Sequence, residues 1–200
     1  MLDISGVKID YEKVALRLGY SKLKTRLDEK TERSLKENIS MAQKLIAPKA
    51  AVSFDDITVN DAAVFFFDGY KIESNYVAKL FQGCKKAYCI AVTIGAALER
   101  KIKSSEIFEA VILDAAGSVA VEEAVGFINQ RLSEREAKDG RALTRRFSPG
   151  YGDWPLECQK SFLERLKADK IGLSVNESFI MVPEKSVSAV IGVKTATRSL

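Results

Sequence analysis

The sequence predicts an α+β fold, an antiparallel or mixed, twisted β-sheet flanked by helices. Three observations carry this expectation. Strand-like and helix-like runs do not alternate as regular βαβ units would. Residues Ala87–Ile94 are almost wholly apolar and rich in β-branched side chains, the mark of a strand buried on both faces. Residues Glu106–Glu136 hold the longest helical pattern in the chain, with apolar or small side chains at Ile107, Ala110, Leu113, Gly117, Ala120 and Ala124.

The elements follow in order. Met1–Lys8 reads as a short strand or arm, and Tyr11–Leu18 as a short helix ended by Gly19. Leu27–Ile46 is a charged amphipathic helix with Leu27, Leu35, Ile39, Ala42 and Ile46 on one face, closed by Pro48. From Ala50 the period shortens to that of a strand, which ends near Asn60-Asp61. A second apolar run, Val64–Phe67, is followed by Gly69. Ser74 is placed to cap a helix running through Leu80 towards Gly83. Gly95 turns the chain out of the central strand into a helix with Leu98 and Ile102, and Ser104-Ser105 are expected to cap the long helix. Pro155 is expected to start a helix over Leu156–Lys167. Ile171–Val182 and Ser186–Val193 read as two strands, with Pro183-Glu184-Lys185 as a hairpin signal between them.

Composition narrows the function. The hydrophobic fraction of 46% over 200 residues supports one core, so residues 1–200 are expected to form a single domain. The 31 basic and 27 acidic residues are interspersed, and no basic stripe marks a nucleic-acid surface. There is no leader pattern and no apolar run of membrane-spanning length, so no membrane is expected and a cytoplasmic location is. Cys84, Cys89 and Cys158 are odd in number and lack CxxC spacing, which suits reduced thiols rather than disulfides or zinc. With no histidine in the chain, Ser-His-Asp and Cys-His catalysis are excluded, as are most zinc or iron sites.

Candidate functional residues gather in Arg146–Pro155, Arg-Phe-Ser-Pro-Gly-Tyr-Gly-Asp-Trp-Pro. Its prolines and glycines rule out a helix and make it a shaped loop. Glycine allows close backbone approach, Tyr151 and Trp154 offer flat faces, and the Arg146 guanidinium matches a carboxylate. An ordinary turn whose aromatics plug the core is the alternative. In the long helix, the small residues Ala115, Ala116, Gly117 and Ser118 permit close approach of another backbone or of a ligand. Glu122 and Glu123 follow, about 100° apart around the axis, each free to serve a structural pair or a ligand.

Arg146-Phe-Ser-Pro-Gly150-Tyr151, followed by Pro155 and Lys160, resembles the Arg-x-x-x-Gly-Tyr-Pro signature of the activation domain of cobalamin-dependent methionine synthase. The stretch Gly172–Ser188, through Glu177-Ser178-Phe179, Met181, Pro183 and Ser186-Val187-Ser188, is similar to a second block of that family in the same register. The likeness is strongest over residues 146–192, fair over Lys49–Arg131 and weak over residues 1–47. It implies S-adenosylmethionine binding by a free-standing activation subunit. That subunit would support reductive methylation of cob(II)alamin, carried by a separate core synthase, with a flavodoxin-like electron donor. The corrinoid would do the chemistry, so no catalytic or metal-binding residue is expected in this chain, and the isolated chain is expected to turn over no substrate.

Residue by residue, the resemblance implies that Arg146 grips the ligand's carboxylate and that Ser148 and Gly150 offer backbone groups. Tyr151 would wall the site, and Glu122 would match a ligand-contacting glutamate. There are departures. A family tyrosine falls on Ile191, a second family glutamate on Gly140, leaving Glu136 or Asp139 as substitutes, and a proline on Gly152. A second hypothesis is therefore a scaffold that docks on a corrinoid protein without binding S-adenosylmethionine. An ordinary S-adenosylmethionine methyltransferase would need a Gly-rich loop after an early strand, and Gly95 alone does not supply it.

Overall fold

The computed structural model describes residues 4, 6–20 and 27–195. Its strands are β1 (Lys49–Val59), β2 (Ala63–Phe66), β3 (Lys71–Glu73), β4 (Lys86–Thr93), β5 (Arg141–Leu143), β6 (Ser174–Val175), β7 (Met181–Val182) and β8 (Ser186–Thr195). Six of them form an antiparallel sheet in the order β3-β2-β1-β4-β8-β5, while β6 and β7 make a separate two-stranded ribbon. β4 is central, as its apolar run requires. It pairs with β1 from Lys86↔Asp56 to Thr93↔Lys49, and with β8 from Lys86↔Val193 to Thr93↔Ser186.

Alternation splits the strands between two cores. On one face Ala87, Cys89, Ala91 and Val190 meet Phe81, Trp154, Phe162 and Ile171. On the other Tyr88, Ile90, Val92, Ala189 and Ile191 meet Ala124, Val125, Ile128 and Leu132. The first face is covered by α3 (Asn75–Leu80), α6 (Cys158–Arg165) and a 3-10 turn, Ala168–Ile171. The second is covered by α5 (Ile107–Ala137), which is in turn wrapped by α1 (Tyr11–Arg17), α2 (Glu29–Leu45) and α4 (Ala97–Lys103). Being sandwiched explains why α5 is buried nearly all round between Ile112 and Val125.

Three of the helix starts obey capping chemistry. Asp10, Asp28 and Ser74 accept from the amides of Lys13, Thr31 and Val77 at the first turns of α1, α2 and α3. Gly117 shows what the small residues are for. A Cβ there would lie 3.1 Å from Leu98 Cδ2 and 3.4 Å from Lys185 Cγ, so the stripe serves close packing against α4 and the segment before β8.

Of the two readings of Met1–Lys8, strand or arm, the described residues Ile4 and 6–8 follow the arm: they form no strand, although Ile4 and Val7 are buried; Met1–Asp3 and Ser5 lie outside the described residues. Three expectations are corrected. The hydroxyls of Ser104 and Ser105 bond the carbonyl of Lys101 and so close α4, leaving Glu106 as the uncapped start of α5. Ile171–Val182 is not one strand: Gly172, at φ +76°, ends the 3-10 turn, and Asn176 folds the rest into the β6–β7 ribbon by accepting from the amides of Ser178 and Ile180. Consequently Pro183-Glu184-Lys185 is no hairpin turn, because β7 pairs with β6 while β8 pairs with β4 and β5. The short β3 and β5 carry too few residues for a period to show.

Candidate functional site

The segment after β5 continues as the sheet's edge before it leaves it. Thr144 N–H donates to Gly192 O, and Phe147 exchanges main-chain bonds of 3.0 and 2.8 Å with Val190. Beyond Phe147 the chain departs, so the start of β8, paired with β4 on one side, has no strand on the other. In an antiparallel ladder every second residue points its main-chain groups the same way. Ser188 therefore turns its N–H and C=O to the side on which Val190 meets Phe147, where the edge is open.

That opening is a cavity of about 460 Å3, a volume suited to a nucleoside-sized molecule. One wall is the departing loop, with Arg146, Phe147, Ser148, Pro149 and Tyr151. A second is Glu122 from α5 and Ser186–Ser188 from β8; a third is Leu156 and Gln159 leading into α6. The last is the β6–β7 ribbon, through Phe179, Ile180 and Met181, with Glu184 beyond it. Phe179 is held at φ +60°, a costly conformation for a bulky residue, by the Asn176 turn. The two blocks distant in sequence, 146–151 and 179–188, thus face each other across one space.

The loop is braced on every side. Asp153 accepts from Ser74 Oγ, from Asn75 N at 2.8 Å and from Tyr76 N at 3.3 Å, at the N-terminus of α3. The hydroxyl bond of Ser74 and the amide bonds of Tyr76 and Asn75 hold its carboxyl below the usual range, against a smaller opposing effect of burial. Phe147 stacks on Tyr76 at 4.8 Å, and the Arg145 guanidinium lies 5.3 Å from the centre of the same ring. Trp154 is 1% exposed and meets Phe162 edge-on, so it plugs the core and offers no face to a ligand. Gly152 sits at φ +58°, which a proline locked near about −65° could not adopt.

The proposed site residues divide accordingly. Glu122, Arg146, Ser148 and Tyr151 line the cavity. Gly150 does not: at φ +87° it forms the turn, and its N–H is already given to Trp154 O at 2.8 Å. Of the two helix glutamates, Glu122 faces the cavity and Glu123 turns away to pair with Lys13. Arg146 Nη2 lies 2.6 Å from Glu122 Oε2, and both side chains remain partly exposed, so the pair stands at the cavity's mouth. Neither substitute for the glutamate at Gly140 reaches it: Glu136 is buried against Tyr88 and Arg141, and Asp139 pairs with Arg141. Ile191 points into the core between sheet and α5.

Sequence reasoning missed Gln159, Leu156 and Glu184. Gln159 carried a signal of its own, a polar residue on the face of α6 shared with Phe162 and Leu163. The cysteines take no part in the cavity wall; burial pushes the Cys84 thiol up to about 11 and Cys89 to about 12, leaving both protonated and inert. Among the described residues no group of three or more His, Cys, Asp or Glu is placed to hold a metal ion, and no helix is long and apolar enough to cross a membrane.

No protein-family model matches the chain, and no curated protein matches it. Among solved structures it is similar to the MetH reactivation domain bound to AdoHcy, with a TM-score of 0.69 and 15% identity, over 100% of this chain and 78% of the other. At that identity the likeness is one of fold: this chain has the mixed α+β architecture of the MetH reactivation domain.

Proposed function

We propose that this chain binds S-adenosylmethionine in the cavity beside Arg146 and serves as the activation subunit of a cobalamin-dependent methionine synthase. The observation that carries the proposal is the meeting, at the open edge of β8, of Arg146, Ser148 and Tyr151 with Glu122 and the 179–188 block. It does so on a fold shared with a solved reactivation domain that is bound to AdoHcy.

The ligand's amino-acid end is a zwitterion, and the mouth carries its complement. Arg146 takes the carboxylate, for which a planar fork of donors is suited. Glu122, released from Arg146, takes the ammonium. Ser148 offers main-chain groups, and the exposed ring of Tyr151 walls the open side. Gly150 contributes the turn that aims them. Glu122 and Glu184 together place two carboxylates against one guanidinium in the cavity wall, a balance that favours a sulfonium-bearing ligand of net charge +1. The braced loop is already shaped, so little entropy is lost on binding.

In that role Arg146, Glu122 and the loop would hold the methyl donor, the cobalamin of the separate synthase, reduced by an electron from a flavodoxin-like protein, would accept its methyl group, and S-adenosylhomocysteine would leave. The corrinoid provides the chemistry, and this chain provides position. Calorimetry tests the binding. S-adenosylmethionine should give a saturable 1:1 isotherm, and methylthioadenosine, which lacks the amino-acid end, should bind at least about tenfold more weakly, the equivalent of about 1.4 kcal/mol. Absence of heat with S-adenosylmethionine refutes the proposal. It would favour the second reading, a scaffold that docks on a corrinoid protein with its Arg146–Glu122 pair permanently closed.

A further inference from the structure

The first part of β1 is an open sheet edge among the described residues. β2 pairs with β1 only over Ile57–Val59, so Lys49–Asp56 has β4 on one side and no strand on the other. Ile57 gives its N–H to Lys85 O, on the β4 side. By alternation Ser53 and Asp55 turn their main-chain groups the same way, while Val52 and Phe54 turn theirs outwards. No hydrogen bond among the described residues uses those outward groups. Natural sheet edges are protected by charge, proline, a bulge or a covering element. Ala50-Ala51-Val52-Ser53-Phe54 carries no charge and no proline, and its register with β4 is unbroken. Such an edge is a template for one more strand.

What lies beside the edge says what that strand carries. Between β1 and α5 is a hollow of about 280 Å3, lined by Val52 and Phe54, by the buried Tyr88 and Leu132, and by the exposed Arg131 and Arg135. It is smaller than the usual small-molecule pocket of about 300–1,000 Å3 and has room for a side chain. Arg131 and Arg135 are four residues apart on α5, where like charges repel. Neither has a carboxylate of its own among the described residues. Arg131 lies 5.0 Å from the centre of the Phe127 ring and Arg135 lies 5.6 Å from that of Phe54. The carboxylate beside Arg135, Glu136, stands 4.0 Å away and is already taken by Arg141 at 2.5 Å. A second copy of this chain is a poor occupant, because two sheets joined edge to edge about a two-fold axis would set their arginine pairs against each other. We propose that the Lys49–Asp56 edge of β1 takes an extended, acidic segment of a partner protein as an added strand. An apolar side chain of that segment fills the hollow, and a carboxylate two residues along, on the same face, meets Arg131 or Arg135. This edge lies across β4 from the cavity on β8, so the inference does not depend on what that cavity binds.

The probe is the peptide Thr-Glu-Thr-Val-Thr-Glu-Thr, blocked at both ends, whose Glu and Val side chains share one face when it is extended. Titration calorimetry on the whole chain measures its binding, and NMR follows hydrogen exchange at the amides of Val52 and Phe54. The peptide should bind 1:1 and slow exchange at both amides. Replacing its two Glu by Lys should weaken binding at least about tenfold, the scale of a lost charged hydrogen bond. N-methylating its backbone along the pairing edge, which removes ladder donors and leaves the charge alone, should weaken it as much. The double variant Arg131→Glu, Arg135→Glu should reverse the order and prefer the Lys peptide. Equal binding of the N-methylated and parent peptides would reveal an anion on two arginines and no added strand, which overturns the inference. Equal binding of the Glu and Lys peptides would overturn the assignment of an acidic segment. No binding at millimolar peptide, or a dimer in sedimentation whose assembly slows exchange at the same amides, would overturn it outright. The peptide comparisons need no variant, so they decide even if the double variant fails to fold.

Discussion

Replacing Arg146 by alanine separates the two jobs its guanidinium could have. As a structural ion pair with Glu122 it is weak: there is one contact at 2.6 Å, and the side chains are 37% and 54% exposed. A pair so exposed contributes about 0–1 kcal/mol to stability once solvent screening is allowed for. For a chain of this size that is a shift in Tm of roughly 4 °C at most. As a ligand contact it is strong, since a hydrogen bond to a charged group is worth about 1.5–3 kcal/mol, or roughly 10- to 150-fold in Kd. Arg146→Ala should therefore melt almost with the parent, by scanning calorimetry, and bind S-adenosylmethionine at least about tenfold more weakly, by titration calorimetry. Unchanged affinity with unchanged melting would remove Arg146 from the site. A large fall in Tm would show that the pair holds the fold, contrary to its exposure.

Three further outcomes follow from packing and charge. Trp154→Ala should cost about 3–5 kcal/mol in urea unfolding, because it empties a core position beside Phe162; a cost under about 1 kcal/mol would contradict its burial. Gly192→Ala should cost about 1–3 kcal/mol, since its new methyl would lie 2.8 Å from Cys84 Sγ and 3.0 Å from Phe81 Cδ1, and an unchanged unfolding midpoint would show that this face can yield. Burial pushes the Glu136 carboxyl upwards, but the bonds from Tyr88 and Arg141 and the charges of Arg141 and Arg135 outweigh it and hold its pKa below the usual carboxylate range. A depressed folded-state pKa gives stability that is complete above the unfolded value of about 4.3 and is lost as the pH falls through the folded value. The parent should lose stability more steeply than Glu136→Gln below about pH 4.3, and parallel acid limbs would refute the assignment.

Where local chemistry decides structure, the chain was readable. The apolar run at 87–94 became the central strand, the pattern at 106–136 became α5 to within one residue at each end, and Ser74 caps α3 as its position required. Where tertiary pairing decides, it was not. Nothing local distinguishes one strand over 171–182 from a 3-10 turn and a small ribbon, since Asn176 acts through side-chain bonds to the main chain. The loop at 146–155 was recognisable as shaped, but composition could not divide its aromatics, and Trp154 went to the core while Tyr151 stayed at the surface. Glu122 was separable from Glu123 only once Lys13, far away in sequence, was seen to take the second. Gln159 escaped for the same reason: its partner Ser188 lies 29 residues on, and only the packing of α6 on β8 brings them to one floor.

A structure of the chain crystallised with saturating AdoHcy tests the central claim most directly. The account predicts the nucleoside in the cavity at the open edge of β8, its carboxylate on Arg146, and the Arg146–Glu122 contact opened to admit the amino-acid end. An empty cavity at saturating ligand, with Arg146 still on Glu122 at the 2.6 Å it holds without ligand, would contradict it.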